Sequence, residues 1–189
     1  MIELIKKVLS TLVIVPAVSP SAADENFRVI NGFYEVSNTT ITENLKINGE
    51  AILRKNTKAK KTLVINGKLD ASDTIFDSEL FSHGTAKISD SRFKNKTHFS
   101  GNTTAVDSQF FTTLTLLSQK SVFSNCKFDT ITIKKIPYVK QTQSLYLKKG
   151  SIVFGDIIFE SNNGKVYLDS SSTIKGKIDG GEKINLPYA

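Results

Sequence analysis

The triplet Ile-Asn-Gly recurs at 30–32, 47–49 and 65–67, and its glycine belongs to a longer series. Glycines stand at 32, 49, 67, 84 and 101, always 17 or 18 residues apart. A second column keeps the same interval: Asn38, Asn56, Asp73, Asp90, Asp107 and Asn125. Each is followed by a small residue (Thr39, Thr57, Thr74, Ser91, Ser108, Cys126), and three positions on come Ile41, Ala59, Phe76, Phe93, Phe110 and Phe128. Leu45, Leu63, Leu80, Thr97, Leu114 and Ile131 make a further column, and Ile47, Ile65, Ser82, Phe99, Leu116 and Ile133 another. A repeat this short cannot bury its apolar side alone, so neighbouring copies must stack.

Apolar residues alternate within each unit and the alternation breaks at the Gly and the Asx, which is strand periodicity interrupted by corners. One unit holds three short strands, about one turn of a coil whose layers lie roughly 4.8 Å apart. The expected fold is all-β: a single-domain parallel β-solenoid with 17–18 residues per turn. Glycine admits a corner conformation that a side chain obstructs, and Asn or Asp tolerates left-handed backbone. Parity then points Thr74, Ser91, Ser108, Cys126 and the Phe column inward, and Ile75, Arg92, Gln109 and Lys127 outward. Cys126 reads as a small buried filler rather than a nucleophile.

The regular turns span 28–133. Residues 134–144, with Pro137 unable to donate to a ladder, are expected to form an irregular connection. Shorter turns are expected over 145–184, with Leu145/Leu147, Ile152/Phe154, Ile157/Phe159, Val166/Leu168 and Ile174/Ile178 as alternating pairs. There "DIIF" at 156–159 echoes the spacing of "DTIF" at 73–76.

Residues 1–23 have the composition of a secretory signal. "MIELIKK" carries two lysines, "VLSTLVIVPAV" is an apolar run too short to span a bilayer, and "SPSAA" supplies small residues before a cleavage point after Ala23. The expected location is therefore secreted, periplasmic or extracellular, with no transmembrane segment left after cleavage. A solitary cysteine permits no internal disulfide, so packing and hydrogen bonds must hold the exported chain. Net charge is +7, and losing two lysines and one glutamate with residues 1–23 leaves +6, a balance suited to anionic surroundings.

These columns resemble the right-handed parallel β-helix proteins, the class that includes pectate-lyase-like enzymes and adhesin stalks. The Asx corner, inward small residue and stacked aromatic are similar to that class's side-chain ladders, over about residues 28–180. "STIKGKIDGG" near the C-terminus is also similar to the Ile-x-Gly-x-Ile repeats of bactofilins, which are polymer-forming proteins.

Three groups of side chains are candidates for a site. Asp73, Asp90 and Asp107 stack on adjacent turns, as a calcium ladder or a carboxylate set of a polysaccharide-cleaving enzyme would require. Asn38, Asn56 and Asn125 share that column, however, and favour a purely geometric corner role. His83 and His98 fall on the outer side of the first strand, where with Val64, Phe81 and Leu117 they make a partly apolar strip. That strip is suited to a sugar ring, a partner or simple coverage by a terminal segment. Arg54, Lys55, Lys58, Lys60 and Lys61 concentrate charge that could grip an anionic polymer or merely be solvated. Aromatics do not interleave with that run, so specific nucleic-acid binding is not expected. Nor are a catalytic set, a metal site or a cofactor.

The leading expectation is an exported, non-catalytic structural or surface-binding β-helix protein that contacts an anionic polysaccharide or another envelope component. The alternatives are a carbohydrate-active enzyme on the same scaffold, either lyase or hydrolase, and a self-assembling protein that adds turns end to end.

Overall fold

The computed structural model describes residues 26–138 and 141–187. The expected signal at 1–23 lies outside them. The described chain winds as a right-handed parallel β-solenoid of about nine turns, without any helix. All strand pairing is parallel and collects into one 14-stranded and one 8-stranded sheet. The larger sheet bends at the glycine column, so the coil has three faces.

In the first four turns a single ten-residue strand supplies both faces of the larger sheet: Arg28–Ser37, Leu45–Arg54, Leu63–Ser72 and Leu80–Ser89. From the fifth turn it splits, first into Thr97–Ser100 and Thr103–Val106. Short strands such as Thr74–Phe76 and Arg92–Phe93 build the third face.

The register matches the repeat residue for residue. Leu45, Leu63, Leu80, Thr97, Leu114 and Ile131 pair in succession and continue to Ile157 and Ile178. Gly49 pairs with Gly67 and Gly67 with Gly84. A Cβ on Gly67 would run into the carbonyl oxygen of Gly49, and φ there is +145°. Both facts demand glycine at that bend. Every Asx of the second column adopts left-handed backbone, with φ between 49° and 55°.

Inside, Phe76, Phe93, Phe110 and Phe128 form one continuous stack. Phe99 and Phe123, from the other two faces, meet that stack edge-on. Such offset and edge contacts add about 0.5–1.5 kcal/mol per pair beyond the burial itself.

A second internal ladder is polar. Thr74 N–H donates to Ser91 Oγ, Ser91 N–H to Ser108 Oγ, Cys126 N–H to Ser151 Oγ and Ser151 N–H to Ser172 Oγ. The side chains of Ser91, Ser108 and Cys126 donate onward to the carbonyls of Ser89, Val106 and Ser124. Small residues at this position satisfy backbone N–H groups that the corner would otherwise orphan in the interior.

The C-terminal region departs from expectation. Val153 lies 25 residues beyond its partner Phe128, Ile157 lies 26 beyond Ile131, and Ile174 lies 21 beyond Val153. The late turns are therefore longer, not shorter. Residues added between the strands Ile131–Ile133 and Gln143–Lys148 pass outside the coil, where Tyr138 is fully exposed. "DIIF" at 156–159 belongs to the first face, Phe159 pairing with Ile133. The corner in that layer is instead Lys149-Gly150-Ser151, with positive φ at Lys149 and Gly150. Val153, not Ile152 or Phe154, points inward.

Candidate binding surface

The outer surface reads as columns, since side chains alternate across each strand. Asp73, Asp90 and Asp107 are exposed at consecutive corners. Asp73 accepts from the backbone of Asn56 at 3.1 Å, and Asp107 accepts from the Asn125 side chain at 2.5 Å. They tie corner to corner. Among the described residues no three His, Cys, Asp or Glu side chains converge as a metal site would require.

The basic run is largely answered from within. Arg54 meets the Asp70 carboxylate with two nitrogens, at 2.7 and 3.0 Å, and that fork holds the Asp70 carboxyl below its ordinary range. Lys58 and Lys94 approach the two oxygens of Asp77 at 3.0 and 2.9 Å. Burial pushes the Asp77 carboxyl up, yet the two ammonium groups prevail and its pKa is lowered. Lys60 and Lys61 are exposed. The run is thus a mixed-sign network on two turns, not a free cationic patch.

Phe81, His83 and His98 come together on the outside of the first face. Phe81 pairs with His98 and His98 with Thr115, while His83 pairs with Ser100 and Ser100 with Leu117. The His98 ring lies 6.3 Å from Phe81 and 6.1 Å from His83, and its Nε2 is 2.9 Å from Ser100 Oγ. Burial, with the nearby His83 and Lys134 charges, pushes His98 down to about 4; burial also lowers His83. Both imidazoles are therefore neutral at pH 7, acting as hydrogen-bonding groups rather than charges.

Beside them lies a depression of about 300 Å³ lined by Phe81, Lys96, Thr97, His98, Thr113 and Thr115. It combines an aromatic floor, threonine hydroxyls and one ammonium group. Phe111, two residues before Thr113, is 55% exposed at the preceding bend. One column carries Lys94, Phe111, Asp129, Phe154 and Lys175 in successive layers, because each N–H bonds the carbonyl before its predecessor's outward residue. Phe154 is 48% exposed, and Lys175 Nζ lies 4.5 Å from its ring centre.

Neither Phe111 nor Phe154 was legible as a surface residue. The doubled Phe at 110–111 does contain the signal, since only one of two neighbours can point inward. Phe154 was hidden by the longer turn that shifts its parity. The stacked pair Tyr146–Tyr167, 4.5 Å apart on the second face and flanked by Lys120 and Lys148, was missed for the same reason.

The fold defines the chain as a parallel β-solenoid with regular outer faces. No family model matches it, and no curated protein or solved structure matches it. Among the described residues no helix is long and apolar enough to cross a membrane.

Proposed function

We propose that this chain is an exported, non-catalytic β-solenoid that binds an acidic glycan of the cell envelope along the edge between its third and first faces. One observation carries the reading: the Phe81 ring, the neutral His98 imidazole, the Thr113 and Thr115 hydroxyls and the Lys96 ammonium border one depression. An aromatic face suits the apolar side of a sugar ring, the hydroxyls suit its hydroxyls, and the ammonium suits a carboxylate or sulfate. Resemblance to pectate-lyase-like solenoids supports a carbohydrate ligand, and the basic balance of the chain supports an acidic one.

Titration calorimetry with acidic oligosaccharides and their neutral counterparts tests this. Binding should require the acidic form, weaken about tenfold or more in Phe81→Ala, and lose its acid preference in Lys96→Gln. Equal affinity for neutral sugars would remove the acidic-ligand reading, and steady release of reducing or unsaturated ends would replace binding by catalysis.

A further inference from the structure

The two ends of the coil differ in a way that assigns one of them a partner. The last layer places Lys183 and Asn185 where the layer before it has the buried Val166 and Leu168. A charge and an amide thus stand over the apolar columns, a device that discourages further stacking. The first layer has the opposite character. Ile30, Tyr34 and Val36 continue the inward columns, pack on the core and remain only partly covered. On the outer side of the same strand, Val29 and Phe33 are 53% and 58% exposed.

Arg28–Ser37 is also a ten-residue sheet edge. Arg28 and Asn38 direct their N–H groups to the second layer. Alternate residues of a strand point their backbone groups to opposite sides. The N–H and C=O of Val29, Asn31, Phe33 and Glu35 therefore face away from the coil, where no described residue pairs with them.

A second copy of the same edge meets every requirement of this surface. Antiparallel pairing about a two-fold axis through Gly32 sets Asn31 against Phe33 of the other copy and Val29 against Glu35. These are the residues with open backbone groups. It also sets Ile30 against Tyr34 and Arg28 against Val36, so inward columns meet inward columns and no like charges oppose each other. The bends at Gly32 coincide, which keeps the two three-sided coils coaxial. At Gly32 the space that an added Cβ would enter is empty, whereas at Gly49 it is filled by the carbonyl of the layer before.

We propose that two copies of this chain join through their Arg28–Ser37 edges into a closed two-fold dimer, with the Lys183/Asn185 ends outermost. The contact is isologous, so it terminates at two rather than growing into a filament.

Opposed residues of an antiparallel pair have Cα atoms about 4.5–5.5 Å apart, within disulfide reach. The one native cysteine, Cys126, is buried and does not interfere. Asn31→Cys and Phe33→Cys, made on the full-length chain and mixed under mild oxidation, should give a disulfide-linked heterodimer. Either variant alone should cross-link far less, since its thiols lie two residues out of register. Light scattering on the unsubstituted protein should read a dimer, and Ile30→Lys, which places a charge in the joined core, a monomer. A monomer at high concentration, a series of larger assemblies, or equal cross-linking of each variant with itself would overturn the proposal. So would a monomer that dimerises only after residues 1–25 are removed, because the edge would then belong to the chain's own beginning.

Discussion

Phe93 lies 4.4 Å from Phe110, ring centre to ring centre, with their planes 3° apart. The two are 17 residues apart in the chain and face each other only because the layers repeat without slippage. Phe93 is fully buried and touches Phe76 on its other side. Phe93→Ala should therefore cost roughly 3–5 kcal/mol, read as a lower urea midpoint. Lys94→Ala, one residue on, removes only a half-exposed ion pair and should cost less than about 1 kcal/mol. Similar losses at both positions would contradict the stack.

Cys126 fills a serine's place in the internal ladder. Its thiol donates to the Ser124 carbonyl at 3.3 Å, and the Ser108 backbone bonds to its sulfur. Cys126→Ser should change stability by less than about 1 kcal/mol, whereas Cys126→Val leaves the buried Ser108 N–H without an acceptor and should cost roughly 1–3 kcal/mol. Burial pushes the thiol up to about 11. In the native protein it should resist thiol reagents at pH 8 and react only on denaturation.

Histidine sets the acid limit. His98 titrates near 4 in the folded chain, against an ordinary value of 6.5. The unfolded chain therefore takes up the proton first as pH falls. The contribution of His98 is complete above about pH 6.5 and declines between there and pH 4. Melting temperature should fall across that window, and His98→Gln should flatten this part of the profile. An unchanged slope would show that the imidazole is not sequestered.

Gly67 tests the bend. Gly67→Ala meets both a forbidden backbone angle and the Gly49 carbonyl, and should cost roughly 2–5 kcal/mol. Gly32→Ala meets only the angle, with φ +103° and no atom within 4 Å, so as a monomer it should lose clearly less. Chemical denaturation of the two variants ranks them.

The first six turns were readable because each inward column is set by spacing alone. Asx plus three reaches the aromatic, and strand alternation supplies the rest. Spacing stopped serving after Phe128, where 25 residues separate it from Val153 instead of 17 or 18. Extra residues in one corner changed which neighbour points inward, so Phe154 was placed inside and the DIIF segment on the wrong face. At the candidate surface, His83, His98 and Phe81 could be put on one outer strip by parity. Their closeness to Lys96, Thr113 and Thr115 depends on how sharply the chain turns before Thr97, which no periodicity encodes. The Arg54–Asp70 fork likewise joins different turns, and only the layer register brings its charges together.

The excursion between Ile133 and Gln143 leaves the layers above and below it in unbroken contact, with Ile157 still seated on Ile131 and Leu145 paired with Ser121. The coil thus accommodates additional chain at that corner while conserving its interior. This makes the corner the natural splice point for a foreign epitope, a purification tag or a reporter peptide displayed on an otherwise unaltered rod.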